Sequence, residues 1–388
     1  MLVPLITYPY LIYVVGKETY GLVAFVQAVV GYLVILTDFG FNISATKEIS
    51  VYRNDKEKLS EIVSSVFIIK TLLFLLSFIV LGALLFFIPQ ARGHETLFLL
   101  SMWAVVYSII FPIWYFQGIE QMKYITYITL ISRLSFLGLI FVFIHAPSDY
   151  LFIPIINGIG ALFAGMVSLY IIFIKHQIVF KFQPLPNLRL HLKDSVPIFL
   201  SNVSIQFYIY TNKVIVGAFL GMTDVAYYDL AEKIIGVLKM PQQILSQTIF
   251  PKISKEKNPE FVKRIFKLPL LMNLIIIIII LLCGKYAILF LGGEQMLPAK
   301  TVLDILSITI LFIGMSNIFG VNMLIPFGYN KVFSKVIITS SLFYVLLILS
   351  LGLLYHFTLL NIALATLVTE VFVTLYLYYS CKKLNLWQ

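Results

Sequence analysis

The sequence predicts an all-α integral membrane protein with about twelve transmembrane helices, and three observations support this prediction. Of its 388 residues, 60% are hydrophobic and only 12% are charged, which is too little charge for the surface of a soluble domain of this length. The apolar residues come in blocks of about twenty, the length at which a helix crosses a ~30 Å hydrocarbon core. The basic residues collect in alternate connections between these blocks.

The distribution of basic residues also predicts the orientation of the chain. Nineteen Lys and Arg residues lie in connections on one side of the membrane and four lie on the other. The positive-inside rule places the nineteen in the cytoplasm, together with both termini. The opposite loops are very short. The predicted helices are 1–16, 20–43, 61–88, 96–117, 124–145, 150–174, 195–220, 224–250, 266–291, 301–327, 333–355 and 358–381.

The first predicted helix is too short to span a membrane. Its apolar part runs from Leu2 to Val15, which gives ~21 Å of helix at a rise of ~1.5 Å per residue. We therefore expect this chain to lack the beginning of helix 1. A tilted or re-entrant short helix would contradict that hypothesis.

A proline-rich and basic connection divides the predicted helices into two sets of six. It covers residues 175–194 and contains the segment 182–186 (FQPLP). We predict an N-terminal transmembrane lobe at 1–174, a cytoplasmic linker at 175–194 and a C-terminal transmembrane lobe at 195–388. Repeated halves are common in transporters that alternate access to a central site.

Basic residues inside the predicted spans are the first candidates for a functional site. Each costs ~2.5–3.5 kcal/mol to place at the bilayer centre, so such residues tend to face a water-filled interior. On one predicted helix, Glu232, Lys239 and Gln243 lie within about 40° of one another. Gln206 shares a helix face with Lys213 in the same way. The five basic residues are Lys70, Arg133, Lys213, Lys233 and Lys239.

These five cations predict a cationic cavity that binds an anionic cargo such as a diphosphate. The acidic residues inside the spans are Asp38, Glu232 and Glu370, which could couple transport to protons or sodium, or simply neutralise a lysine. Two of the cations also have simpler explanations. Lys70 could snorkel towards the inner loop, and Lys233 could form a structural bridge to Asp229, four residues earlier.

Motifs for catalysis, metal binding and ATP hydrolysis are absent from the sequence. It contains no HExxH, GxSxG, GxxxxGK[ST] or CxxC pattern. Cys283 and Cys381 lie far apart in apolar stretches and predict neither a disulfide framework nor a metal site. We therefore expect no enzyme activity, no cofactor and no metal. Nucleic-acid binding is disfavoured because the basic residues sit in the short loops that set membrane orientation.

Several short motifs are spread along nearly the whole chain. They are 8–11 (YPYL), 20–22 (YGL), 37–41 (TDFGF), 53–55 (RND), 114–124 (WYFQGIEQMKY) and 226–233 (AYYDLAEK). Together they resemble polysaccharide flippases of the Wzx type, in the superfamily of multidrug, oligosaccharidyl-lipid and polysaccharide exporters. The resemblance implies two six-helix lobes in a V, with a cationic central cavity and alternating access.

The resemblance also implies a cargo and a location. The cargo would be an undecaprenyl-diphosphate-linked O-antigen or capsule repeat unit, which crosses from the inner to the outer leaflet of the bacterial inner membrane. The implied partners are this lipid-linked oligosaccharide, membrane lipids, the polysaccharide polymerase and the chain-length regulator.

Three alternative functions remain open from the sequence. An exporter of cations should have an acidic interior, whereas lysine and arginine outnumber acids within the predicted spans. A lipid II flippase belongs to the same superfamily and differs in its cargo. A membrane-bound glycan polymerase or acyltransferase is disfavoured by the short outer loops and the absence of catalytic motifs.

Overall fold

The fold is helical throughout the part of the chain that the structure describes. The computed structural model describes residues 3–355 and 357–387, and this part contains no β-strand. The helices are α1 Val3–Val15, α2 Lys17–Asp38, α3 Phe41–Tyr52, α4 Lys56–Phe87, α5 Glu95–Ser101, α6 Trp103–Ile110, α7 Ile113–Gly118, α8 Met122–Phe143, α9 Phe152–Leu169, α10 Leu185–Phe219, α11 Met222–Leu238, α12 Met240–Glu256, α13 Pro259–Gly292, α14 Ala299–Ser316, α15 Asn330–Leu353 and α16 Leu359–Lys383.

Each of the twelve predicted helices corresponds to a helical segment, but only some are apolar enough to cross a membrane unaided. Nine helices of the described chain meet the length and hydropathy required of a span. α1 is shorter than they are, and its predicted first two residues lie outside the described part. α10, α11 and α12 fall outside the nine; α11 and α12 have 17 residues each, and all three carry several charged or amide side chains. The all-α membrane fold predicted from the sequence is confirmed.

Several predicted helices are interrupted. The predicted helix 20–43 divides into α2 and α3 at Phe39 and Gly40, whose φ angles of 46° and 80° are left-handed. The predicted helix 224–250 divides at Lys239, because Pro241 in the first turn of α12 has no N–H to continue the ladder of α11. The predicted helix 96–117 consists of α5, α6 and α7, with Pro112 before α7.

The seventh predicted helix starts earlier than expected. α10 begins at Leu185 rather than at 195, so the second half of the predicted linker is helical. Pro186 is compatible with this start because proline is tolerated in a first helical turn. Half of residues 185–194 are polar or charged, so this segment has no apolar block that would predict part of a span.

The chain divides into two compact units. The N-terminal unit comprises residues 14–19 and 23–206, and the C-terminal unit comprises residues 1–13, 20–22 and 207–388. The predicted transport lobes, 1–174 and 195–388, describe a functional division and stay a prediction.

The core of the N-terminal unit forms around α3, α4 and α7. Trp114, Tyr115 and Phe116 of α7 are buried there. Gly118 at the end of α7 lies so close to α3 that a Cβ at this position would be 2.5 Å from Ile49 Cγ2. Glycine is therefore required for the two helices to approach this closely.

The C-terminal unit buries most of α11. α14 packs against α11, α13 and α16, and residues 225–231 of α11 are buried. Gly21 lies against the backbone of Met222, where a Cβ would clash with the carbonyl group. This close approach brings the neighbouring Tyr20 to the side of α11 that carries its charged residues.

Candidate functional site

Asp229 on α11 is the centre of a buried charged cluster in the C-terminal unit. Its side chain is almost fully buried, and its Oδ1 and Oδ2 accept hydrogen bonds from Lys213 Nζ at 2.8 Å and from Lys233 Nζ at 2.6 Å. The hydroxyl of Tyr20 donates to Oδ2 at 3.1 Å. Lys213 also forms an ion pair with Glu232 Oε2 at 2.9 Å. One carboxylate thus holds two ammonium groups, one of which a second carboxylate shares.

The helical period explains how this cluster assembles. Asp229, Glu232 and Lys233 are separated by three and four residues, so they share one face of α11. Lys213 comes from α10 and completes the network. The sequence had placed this lysine on a polar face of its helix. Ionised lysine and aspartate side chains are tolerated in such a poorly solvated environment because each has a close partner of opposite charge.

Two tyrosines from the N-terminal helices surround Lys233. Its ammonium lies 5.1 Å from the ring centroid of Tyr8 and 4.9 Å from that of Tyr20, and it also hydrogen-bonds the Tyr20 hydroxyl. The Tyr8 hydroxyl donates to the carbonyl of Ala226 at 3.2 Å. Cation–π contacts and hydrogen bonds therefore fix α1 and the start of α2 to α11.

A cavity of about 210 Å³ adjoins this cluster in the C-terminal unit. Glu232, Lys239 and Glu370 line it, and Lys239 lies at the break between α11 and α12. Among the described residues, Lys239 forms no ion pair within 4.0 Å. The cavity therefore combines one cation without a close ion pair with two acids, one buried and one half-buried, that interact with it electrostatically.

Two neutral polar side chains of the cavity wall, Asn212 and Thr366, belong to a hydrogen-bond network with Tyr344. Tyr344 donates to Asn212 Oδ1 at 2.6 Å, and the Asn212 amide donates to Thr366 Oγ1 at 3.0 Å. All three side chains are buried, so their hydrogen bonds satisfy polar groups that would otherwise be costly in this environment. The network joins α10, α15 and α16.

The formal charges of the C-terminal cluster balance. Lys213, Lys233 and Lys239 supply three positive charges, and Asp229, Glu232 and Glu370 supply three negative charges. The sequence-based expectation of a cationic excess counted Asp229 only as a bridge for Lys233. The structure shows Asp229 at the centre instead, since two partly buried lysines need a close carboxylate.

The remaining predicted residues lie elsewhere. In the N-terminal unit, Lys70 is 1% exposed and donates to Asp38 Oδ1 at 2.9 Å and to the Ser108 carbonyl at 3.0 Å. Lys70 is therefore paired inside the protein and does not snorkel towards the loop. Arg133 is exposed on α8 and interacts electrostatically with Tyr107.

The two predicted glutamines are not part of the charged cluster. Gln206 is half-buried on α10, and Gln243 is exposed on α12. The structure thus unites Lys213, Lys233 and Glu232 directly, and Lys239 and Glu370 through the cavity. Sequence reasoning did not assign a role to the network of Asn212, Tyr344 and Thr366 or to Tyr8 and Tyr20. For the two tyrosines, the motifs YPYL and YGL already carried the signal.

Comparison with known proteins identifies the family. Residues 1–257 match the family described as "Polysaccharide biosynthesis protein". The chain belongs to this family. A relative from Escherichia coli (strain K12) is 30% identical over 383 residues, with 96% of this chain and 91% of the relative covered. A Shigella dysenteriae relative is 27% identical over 394 residues, with 98% and 96% covered. Both are named "Putative O-antigen transporter".

Solved structures of transporters share this fold. An inward-facing multidrug resistance MATE family transporter of the MOP superfamily has a TM-score of 0.76 at 14% identity, with 98% of each chain covered. The lipid II flippase MurJ, in an inward closed conformation, has a TM-score of 0.75 at 18% identity, with 98% of this chain and 85% of MurJ covered. At these identities the likeness concerns the fold. The family match and the two relatives confirm the resemblance drawn from the short motifs.

Proposed function

We propose that this protein is a flippase that moves undecaprenyl-diphosphate-linked O-antigen or capsule repeat units from the inner to the outer leaflet of the cytoplasmic membrane. The observation that carries the proposal is the similarity over nearly the whole chain to two relatives named as O-antigen transporters. In this proposal both termini are cytoplasmic, and the polysaccharide polymerase and chain-length regulator act on the delivered product.

The ion pairs divide the five predicted cations into two groups with different roles. Lys70, Lys213 and Lys233 are each held by a carboxylate at 2.6–2.9 Å. Lys239 and Arg133 form no ion pair within 4.0 Å in the described part of the chain. A diphosphate needs charge compensation while it crosses the membrane, and only a cation not already engaged supplies it without breaking a buried pair. We therefore assign phosphate contact to Lys239 and Arg133.

The paired lysines have a different part in this proposal. Their ammonium groups lie within 2.6–2.9 Å of the carboxylates of Asp38, Asp229 and Glu232, and these ion pairs hold the helices that bear them together. Glu232 and Glu370 line the same cavity as Lys239, so a proton or sodium ion bound there would change the charge that a phosphate meets. These carboxylates are our candidates for ion coupling.

The experiment that tests the function is deletion of the gene in its natural host. Surface polysaccharide and extracted polyprenyl-linked oligosaccharides are measured together. The proposal predicts loss of surface glycan and accumulation of complete single repeat units on the lipid carrier. Unchanged surface glycan with increased sensitivity to cationic dyes would favour a multidrug-type exporter, and accumulation of lipid II would favour a cell-wall flippase.

Complementation of the deletion strain then tests the assigned residues. Lys239→Ala and Arg133→Ala are each expected to reduce surface glycan by at least about tenfold, the effect of losing ~1.4 kcal/mol of stabilisation of the crossing diphosphate. Lys285→Ala removes the same charge from an exposed position on α13 and should restore surface glycan fully. Full restoration by both test variants, expressed at the control level, would refute the assignment while leaving the flippase function intact.

A further inference from the structure

A second cluster of basic side chains lies where α8 begins and where the π-helical segment that follows α9, Tyr170–Lys175, ends. A pocket of about 660 Å³ is lined there by Glu120, Gln121, Met122, Lys123, Tyr124, Lys175 and His176. We call this the basic pocket. It belongs wholly to the N-terminal unit, and the positive-inside prediction places its lysines on the cytoplasmic side.

Two lysines from different helices converge on one aromatic ring in the basic pocket. Lys175 Nζ donates to the Tyr124 hydroxyl at 2.8 Å and lies 5.2 Å from the centroid of its ring. Lys123 Nζ lies 5.5 Å from the same centroid. Both lysines are exposed. Two like charges directed at one tyrosine repel each other, so an anion between them would be bound favourably.

The single carboxylate among the lining residues does not neutralise these lysines. Glu120 forms its ion pair with Arg53, at 2.7 Å, on the rim of the pocket. A fourth cation, Lys56, donates to the amide oxygen of Gln177 at 3.0 Å beside the pocket. The local charge is therefore strongly positive.

The neighbouring His176 adds no charge to the basic pocket, and its pKa reflects the nearby lysines. Tyr115 and His176 Nδ1 are hydrogen-bonded at 2.9 Å. Burial lowers the pKa of His176, and the nearby charges of Lys175 and Lys56 lower it further. His176 therefore stays neutral at pH 7, and the positive potential of the pocket comes from lysine and arginine.

The apolar surface beside the basic pocket is suited to lipid chains. The hydrophobic window of α8 is only 11% buried, the lowest value among the nine candidate spans of the described chain. Tyr127 and Ile131 follow Lys123 at intervals of one helical turn, and both are exposed. Tyr170 and Ile174, just before Lys175, are also exposed. Basic residues at the end of exposed apolar and aromatic stripes are typical of the membrane interface.

We propose that the basic pocket binds the phosphate headgroup of an anionic phospholipid of the inner leaflet, with the acyl chains along the exposed stripe of α8. The convergent lysines supply the charge, and the adjoining apolar surface distinguishes a lipid from a free anion. Lys123 and Lys175 are not among the proposed cargo-binding residues, and lipid binding at the basic pocket requires no transport step.

The test is binding of phosphatidylglycerol to the purified full-length protein in detergent, measured by native mass spectrometry. Phosphatidylcholine serves as the zwitterionic comparison. Each lysine is expected to strengthen phosphatidylglycerol binding about fivefold, so K123Q/K175Q should bind this lipid about twenty-five-fold more weakly. The matched control K331Q/K335Q removes two exposed lysines from the start of α15 and should bind as the unaltered protein does.

Two further measurements keep the test decisive. K123Q alone changes one exposed side chain, so a severalfold loss is expected even if the double variant fails to fold. Soluble glycerol phosphate should not displace the lipid at equal concentration. Unchanged phosphatidylglycerol binding in K123Q and K123Q/K175Q, equal binding of phosphatidylcholine, or displacement by glycerol phosphate would each overturn the proposal. The last result would show a site for a free anion.

Discussion

Asp229→Asn is expected to destabilise the protein strongly, because this buried carboxylate neutralises two partly buried lysines. The substitution keeps the size of the side chain and removes its charge. Lys213 retains Glu232 as a partner at 2.9 Å, whereas the close contacts that Lys233 retains among the described residues are those with the two tyrosines. The variant therefore leaves one partly buried ammonium group without a close counter-charge.

The magnitude follows from the cost of such an orphaned charge. Removing one partner of a buried ion pair costs about 3–5 kcal/mol of unfolding free energy. Because Glu232 still compensates Lys213, we expect the lower end, about 3 kcal/mol. Adding Lys233→Met removes the orphaned charge and retains a long apolar side chain. The double variant should therefore be more stable than Asp229→Asn alone, and this non-additivity measures the coupling of the pair.

Equilibrium unfolding in mixed detergent micelles measures these free energies. The control is Asp304→Asn, which breaks an aspartate–lysine pair with the same four-residue spacing, to Lys300, at a partly exposed position. It should cost less than about 1 kcal/mol. Asp229 does not have the stabilising role proposed for it if the unfolding free energy of Asp229→Asn lies within about 1 kcal/mol of that of the unaltered protein. The same conclusion follows if the double variant is less stable than the single one, because Asp229 would then not be needed to neutralise Lys233.

Two further substitutions test packing and charge in the N-terminal unit. Gly118→Ala should cost about 1–3 kcal/mol of unfolding free energy because its Cβ would lie 2.5 Å from Ile49 Cγ2. Gly138→Ala, with open space around its Cβ, should be neutral or stabilising, and equal effects of the two would contradict the packing argument. Lys70→Met should lower the unfolding free energy by about 3 kcal/mol, and adding Asp38→Asn should recover part of it; a double variant less stable than Lys70→Met would contradict a buried pair.

The sequence predicted the fold well where apolar length was the signal. Blocks of about twenty apolar residues identified the helices because the backbone of a membrane span must form all its hydrogen bonds within one helix. The same signal missed the start of α10 at Leu185, because a helical turn outside the bilayer needs no apolar residues. It also missed the break at Lys239, although Pro241 supplied a local reason for it.

The candidate site was predicted in part. Helical spacing predicted the pair of Lys233 and Asp229, because a separation of four residues depends only on the period of the helix. The predicted stripe of Glu232, Lys239 and Gln243 assumed one continuous helix, whereas the break at Lys239 leaves Gln243 exposed on α12. The sequence placed Lys213 in the same cavity but did not predict its ion pairs with Asp229 and Glu232, since contacts between helices depend on tertiary packing. The balance of charge in the cluster was missed for the same reason: the number of cations in the spans does not show which of them already have a carboxylate within 3 Å.

Charge balance has a consequence for how an anionic cargo could be moved. A diphosphate that used Lys213 would have to displace Asp229 or Glu232, whereas one that used Lys239 would displace no ion pair of the described chain. The first route links cargo binding to protonation of a carboxylate, because a protonated Glu232 would no longer form an ion pair with Lys213. The second leaves the buried cluster as a structural element. Loss of transport in Lys239→Ala but not in a stable Lys213→Met/Glu232→Gln double variant would select the second route.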